Sequence, residues 1–197
     1  MSISQKQRLA WAITGSGHYL RECLDILQSL KNQNITAIDV FLIKAAAEII
    51  KQYGFQAQLD ATGCRVFQDK TASSVPVEFF YQGQYHTLVI APATSNTVAK
   101  MAHGFSDSLV TNLYAQAGKT LVPSIVFACD TVPALGDAFL ESEAPRENIV
   151  KVFPRKIDLD NVARLARFEL TQVVDSIDTL EKAICHRLNT AFESPIV

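Results

Sequence analysis

Ala91-Pro92-Ala93-Thr94-Ser95-Asn96-Thr97-Val98-Ala99-Lys100 follows the apolar run Thr87-Leu88-Val89-Ile90 and leads into a helix-like pattern. An apolar run, a polar turn and then a helix place that turn at the carboxyl end of a strand, where an open α/β sheet binds its ligand. Pro92 fixes the chain as it leaves the strand, and Thr94 or Ser95 can cap the helix that follows. One cap needs one hydroxyl. Four consecutive polar side chains, Thr94 to Thr97, exceed that need and favour ligand contacts, with Asn96 projecting an amide from the first helical turn.

A second polar turn lies near the start, where Leu9-Ala10-Trp11-Ala12-Ile13-Thr14 runs into Gly15-Ser16-Gly17-His18. Two glycines around a serine let successive N–H groups converge on one anion beside the positive end of a helix. The same triplet can also be a tight turn with Ser16 as an N-cap. It is not the G-x-G-x-x-G dinucleotide fingerprint, because Leu20 stands at the third glycine position, and no P-loop pattern occurs. A single phosphate, as in a mononucleotide, suits the short motif. His18 is either a donor to such a ligand or a solvent-facing residue beside the turn.

Strand-like and helix-like segments alternate along the chain. Strands are expected at 8–14, 35–43, 87–91, 123–129 and 149–153, with helices at 18–31, 44–53, 94–102, 107–117, 159–167 and 177–188. Residues 56–81 show no long periodic run and are expected to hold a short strand and loops, and 130–145 is rich in turns. The alternation predicts a three-layer α/β/α Rossmann-like fold, with a mainly parallel, doubly wound sheet. With no repeat, low-complexity tract or Gly/Ser-rich linker, residues 1–197 are expected to form one domain. A chain of this length can bury roughly 70% of the surface its unfolded form exposes.

Composition narrows the function classes. The formal net charge is −2 and the basic residues are scattered, so nucleic-acid binding is not expected. Cys23, Cys64, Cys129 and Cys185 lie far apart without a C-x-x-C pair, which argues against an iron–sulfur cluster or a zinc site. His86, His103 and His186 show no metal-ligand spacing, so no metal is expected. Cys129 ends a strand at the presumed ligand edge, where packing is the favoured role. Met1 to Arg8 carry no apolar signal core, and no apolar run approaches the ~20 residues needed to cross a bilayer. A cytoplasmic protein without membrane contact is expected. Nothing in the sequence supports hydrolase chemistry.

The block 91–97 resembles the PASANT-type motif of the homo-oligomeric flavin-containing cysteine decarboxylase superfamily. Residues 98–112, with His103-Gly104-Phe105-Ser106-Asp107, are similar to that family's helix, glycine turn and Asp-containing helix, and Gly15-Ser16-Gly17-His18-Tyr19 to its N-terminal flavin turn. Within the superfamily the likeness is to archaeal-type flavoproteins and dihydromethanopterin reductases, on the stretches 9–17, Phe41-Leu42-Ile43-Lys44-Ala45-Ala46, Val122-Pro123-Ser124-Ile125-Val126 and 157–162. The resemblance implies FMN as cofactor, with contacts from Gly15, Ser16, Gly17, His18, Lys44, Ala93, Thr94, Ser95, Asn96 and Thr97. It assigns no catalytic residue.

It further implies an FMN-dependent oxidoreductase that takes electrons from a reduced donor, NAD(P)H or a protein, and reduces a dihydropterin such as dihydromethanopterin. Assembly from trimers, with FMN at a subunit junction, is also implied. The P-x-M-N-x-x-M clamp of the decarboxylase branch is missing: Cys129-Asp130-Thr131-Val132-Pro133-Ala134 stands there, and Met1 and Met101 are the chain's methionines. The alternatives are a cysteine decarboxylase relative, disfavoured by that gap, an electron-transfer flavoprotein without small-molecule turnover, and a flavin prenyltransferase. The last would need a basic site, for which Arg146, Lys151, Arg155 and Lys156 are available. Phe79-Phe80-Tyr81 and Phe139-Leu140 are expected to form apolar interface patches.

Overall fold

The computed structural model describes residues 8–69, 75–135 and 151–193. Strand β1 (Arg8–Ile13) is followed by α1 (Leu20–Gln33), β2 (Ile38–Leu42), α2 (Lys44–Gln52), α3 (Gln56–Ala61), β3 (Arg65–Gln68) and α4 (Val75–Tyr81). The chain then crosses to the other half with β4 (Tyr85–Ala93), α5 (Ser95–Ala102), α6 (Leu109–Lys119) and β5 (Ser124–Ala128). The short strands β6 (Ala134–Leu135) and β7 (Lys151–Val152) precede α7 (Lys156–Leu165), β8 (Thr171–Val174) and α8 (Ile177–Glu193).

Six strands form one sheet in the order β3-β2-β1-β4-β5-β8, and every pairing in it is parallel. The expected doubly wound Rossmann-like fold is what the chain adopts. The strand order reverses between β1 and β4, so a crevice opens at their carboxyl ends. Because side chains alternate across a strand, Leu9, Trp11 and Ile13 face one core with α1, α2, α3 and α8. Ala10 and Ala12 face the other, with α4, α5, α6 and α7. Burial on both faces explains why β1, β2, β4 and β5 read as near-continuous apolar runs.

Four elements escaped the sequence patterns: α3, α4, β8 and the two-residue β6 within the turn-rich stretch. The α3 helix has six residues, of which Leu59 is buried, too little for a helical period to register. The α4 helix also lies where loops were expected; its Phe80 is buried and Phe79 half-buried, so these two rings are core and only Tyr81 stands out to solvent. The sixth sheet strand is β8, a four-residue edge strand, and not 149–153. Within that stretch Lys151–Val152 pairs antiparallel with Ala134–Leu135, away from the main sheet. Phe139, Leu140, Arg146 and Ile149 lie outside the described residues. Among the described residues, no helix is long and apolar enough to cross a membrane.

Candidate functional site

The two polar turns meet at the carboxyl ends of β1 and β4, and Thr14 fastens them together. Its buried hydroxyl donates to the Pro92 carbonyl oxygen at 2.8 Å and accepts from the Thr94 N–H at 2.9 Å, while its own N–H reaches the Pro92 oxygen at 3.2 Å. Trp11 adds a bond from Nε1 to the Ala91 carbonyl oxygen at 2.9 Å. Buried polar groups satisfied in this way hold the two turns in one register.

Close backbone packing shapes the first turn. A Cβ on Gly15 would stand 2.7 Å from the Ala45 Cβ of α2, and one on Gly17 would stand 2.5 Å from the Tyr53 ring. Ala45 Cβ is fixed to its helix, so sterics require glycine at 15, whereas at 17 an added Cβ would have to displace the far end of the Tyr53 side chain. Ser16 Oγ accepts from the His18 N–H at 3.1 Å, and the Cys129 Sγ lies 3.2 Å from both Ser16 Oγ and the Ala93 carbonyl oxygen. Among the described residues nothing takes up the N–H groups of Gly15, Ser16 and Gly17. Three successive donors are left open at one turn, which is the requirement for an anion cradle.

A cavity of about 560 Å3 lies against this turn. That is within the range of small-molecule and cofactor sites. Gly15, Ser16, Gly17, His18, Thr94 and Ser95 line it, together with Arg155, one of the residues available to the basic site of the prenyltransferase alternative, and with residues the sequence patterns did not single out as binding: Ile49 and Tyr53 of α2 and its cap, Asp130 and Val132 after β5, and Val152, Phe153 and Asp158 around the start of α7. Their signal is tertiary, because they come from three separate connections. The remaining expected contacts fall outside the lining. Lys44 is exposed at the first position of α2, beside the Ala45 that packs on Gly15, and Asn96 is exposed in the first turn of α5. Ala93 is fully buried in β4, and Thr97 is buried with its hydroxyl 3.1 Å from that of Thr94.

Thr94 is the N-cap of α5, accepting from the Thr97 N–H at 3.3 Å. The next free donor of that helix, the Ser95 N–H, is taken by Asp130 Oδ2 at 2.8 Å. Arg155 chelates Asp158 through two side-chain bonds of 2.9 and 2.7 Å, and that guanidinium holds the Asp158 carboxyl below the usual carboxylate range. The cavity thus pairs one guanidinium with two carboxylates. An anionic ligand has to be held here by N–H groups and hydroxyls more than by cations.

Two titratable groups stand at the turn. Burial lowers the pKa of His18, against the opposing pull of Asp130 and Glu22, so the imidazole is neutral at pH 7. Burial, reinforced by Asp130, pushes the Cys129 thiol up to about 12. Cys129 is therefore a protonated hydrogen-bonding thiol and no nucleophile at neutral pH. His103 and His86 are occupied elsewhere: His103 Nε2 lies 3.0 Å from Asn161 Oδ1, and buried His86 lies between Thr36 and Thr87. No group of His, Cys, Asp and Glu suited to a metal ion occurs among the described residues.

Burkholderia xenovorans DmrB, solved in its apo form and in complex with FMN and described as a cubic protein cage for redox transfer, is 47% identical to this chain. It covers 95% of this chain and 98% of its own, with TM-scores of 0.83 and 0.84. An uncharacterised protein of Methanocaldococcus jannaschii is 35% identical over 90% of this chain and 94% of its own length. The dihydromethanopterin reductase (acceptor) of Methanosarcina mazei is 37% identical over 63% of this chain, which spans about half that relative's length, at 55%. The profile of the Flavoprotein family matches residues 2–194, and with a parallel sheet whose switch-point turns present open donors to a cavity, the chain is a member of the Flavoprotein family.

Proposed function

We propose that this chain is an FMN-dependent oxidoreductase that reduces a dihydropterin of the dihydromethanopterin type. The observation that carries the reading is the row of open N–H groups at Gly15, Ser16 and Gly17, facing a cavity at the sheet's switch point. A mononucleotide phosphate fits such a cradle, which offers it several N–H donors at one point; with one guanidinium against two carboxylates in the lining, those donors and not cations would hold it. Thr94 and Ser95 would hold the same ligand from the opposite turn. The relatives named for FMN and for dihydromethanopterin reduction support the cofactor and the substrate class.

Bound FMN would supply the electron chemistry, accepting two electrons from NAD(P)H or a protein donor and releasing them to the pterin. The chain's own residues bind, orient and exclude water. Thr14 keeps the two turns at a fixed separation. Neutral His18 offers one ring nitrogen as donor and one as acceptor beside the cavity, without adding a charge. The Cys129 thiol, held protonated, steadies Ser16. Ile49, Val132 and Phe153 give the cavity an apolar wall.

The working form is a homo-oligomer built from trimers, with the cavity at a junction between copies. Val132, Val152 and Phe153 line the cavity, yet are 50%, 54% and 62% exposed in the single chain. A second copy laid over that rim would enclose the site and remove apolar surface from water.

The test begins with colour. Purified protein should be yellow, and heat-released cofactor should chromatograph as FMN. The holoprotein should then oxidise a reduced donor when dihydromethanopterin is added. Colourless protein that FMN does not reconstitute would overturn the cofactor; flavin reduction without pterin turnover would leave an electron carrier.

A further inference from the structure

The amino edge of the sheet, opposite the cavity, carries a second apolar surface. Leu121, just before Val122 and β5, is 74% exposed, and Leu170, just before β8, is 44% exposed. The two strands are neighbours, and the Ser124 N–H donates to the Leu170 carbonyl oxygen at 2.8 Å, so both leucines belong to one edge. Phe105, at 62%, and Phe168, at 37%, stand with Leu170 around a groove of about 330 Å3.

The backbone makes this patch unusual. Leu121 has φ 58° and Leu170 has φ 59°, in the left-handed region where a Cβ crowds the following carbonyl. Leu121 follows Thr120, the C-cap of α6, at the position where glycine is the common residue. Each turn thus carries a large apolar side chain where glycine would be easier to fold, and within the chain Leu121 stays largely in water and Leu170 partly so.

We infer that this edge docks a second copy of the chain about a twofold axis, separately from the contact that encloses the cavity. The inference rests on the trimeric reading above and extends it. A closed cage of trimers, such as the cubic cage described for the 47% identical DmrB, needs at least one further kind of rotation axis besides the threefold, and therefore at least two different patches on every subunit. The rim of the cavity at the carboxyl edge supplies one. The Leu121–Leu170 edge, at the other end of the same strands, supplies the other. Its charges are self-complementary: exposed Lys119 and exposed Glu169 flank the groove, and a twofold axis would bring the lysine of one copy to the glutamate of the next.

Light scattering on the full-length flavin-loaded protein, with absorbance read on the same samples, tests this. The wild type should form a large closed assembly. The double variant Leu121→Asp/Leu170→Asp should collapse it to particles of three chains that keep their flavin. Leu121→Gly/Leu170→Gly, which relaxes the backbone while removing the side chains, should also dissociate the assembly, but with a melting temperature of the trimer no lower than that of the aspartate variant. Lys119→Glu and Glu169→Lys should each shrink the assembly, and combining them should restore it.

Several results would overturn the surface: a wild type no larger than a trimer, variants that keep the wild-type mass, or variants that fall to monomers and shed their flavin. The last would assign this edge to the cavity-enclosing contact. A colourless wild type whose assembly still breaks on these substitutions would support the surface while overturning the flavin reading.

Discussion

The two ends of the β1–β2–β4 strands both carry polar clusters, and they are built on opposite principles. At the amino end, Asp39 is fully buried and every oxygen is answered. Arg8 donates from Nε at 2.9 Å, Arg65 from Nε at 2.9 Å, and the Tyr85 hydroxyl at 2.8 Å, with both guanidiniums doubling the contact. Burial alone would raise the Asp39 pKa, but the bonds from Arg65, Arg8 and Tyr85 outweigh it and hold it below the usual range. At the carboxyl end, Thr14 is equally buried and satisfied, but Gly15, Ser16 and Gly17 leave three donors open to a cavity. A saturated cluster holds strands together and has nothing left to bind with. An unsaturated one is kept by what it binds.

The sharpest way to break this contrast is at the saturated end. Asp39→Ala leaves two guanidiniums and a buried phenol without their acceptor and should destabilise the fold by about 3 kcal/mol, the low end for a broken buried ion pair because both arginines reach water. Denaturant titration would read it, and the affinity of the folded protein for FMN should stay the same. A loss of affinity without a loss of stability would make the amino end functional after all.

Nearly as large is a pH effect that also belongs to the fold. Burial lowers the His86 pKa to about 4 from 6.5, with Arg187 adding to the shift. Between those values the unfolded chain binds a proton that the folded chain refuses, so stability should fall as pH drops from 6.5 towards 4. The loss is about 2–3 kcal/mol at the bottom of that window. His86→Gln should flatten the melting-temperature profile over this range; an unchanged slope would place the titrating group elsewhere.

The open end should respond in binding instead. In Gly17→Ala the new Cβ pushes on the far edge of the Tyr53 ring, which lines the cavity, so the wall yields while the fold survives. A penalty of about 2 kcal/mol would weaken FMN about thirtyfold. Fluorescence titration of the apoprotein measures it, and a drop in melting temperature with unchanged affinity would reduce the glycine to packing.

The smallest effect separates a site within one chain from a shared one. Asn96 is exposed and off the cavity of the single chain. If a second copy completes the site there, Asn96→Ala should weaken FMN about fivefold in the assembled protein, the value of one hydrogen bond of about 1 kcal/mol. Equal affinity for variant and wild type would assign Asn96 to the surface.

Much of this architecture was legible beforehand. Strands buried on both faces show as apolar runs, so β1, β2, β4 and β5 stand out in the sequence, and the polar turns after β1 and β4 mark the edge where the cavity opens. Short or edge elements did not, because the four residues of β8 and the six of α3 bury too few side chains to impose a period. Phe79 and Phe80 were misplaced for the same reason. The α4 helix is short, and what draws its aromatic residues inward is the company of Phe67 and Tyr85 from the strands on either side of it in the chain, β3 and β4.

The sequence by itself determined the doubly wound sheet and the G-S-G and Pro-Ala-Thr-Ser-Asn-Thr turns, since alternation, glycine and helix capping act over a few residues. Only the tertiary structure decided which polar groups are answered. Thr14 is spent on Pro92 and Thr94, seventy-eight and eighty residues away, and Asp130 occupies the Ser95 N–H, thirty-five residues away. Hydrogen bonding between residues far apart in sequence leaves no local pattern, and it is that pairing, not residue type, that separates the donors left open for a ligand from those that hold the fold.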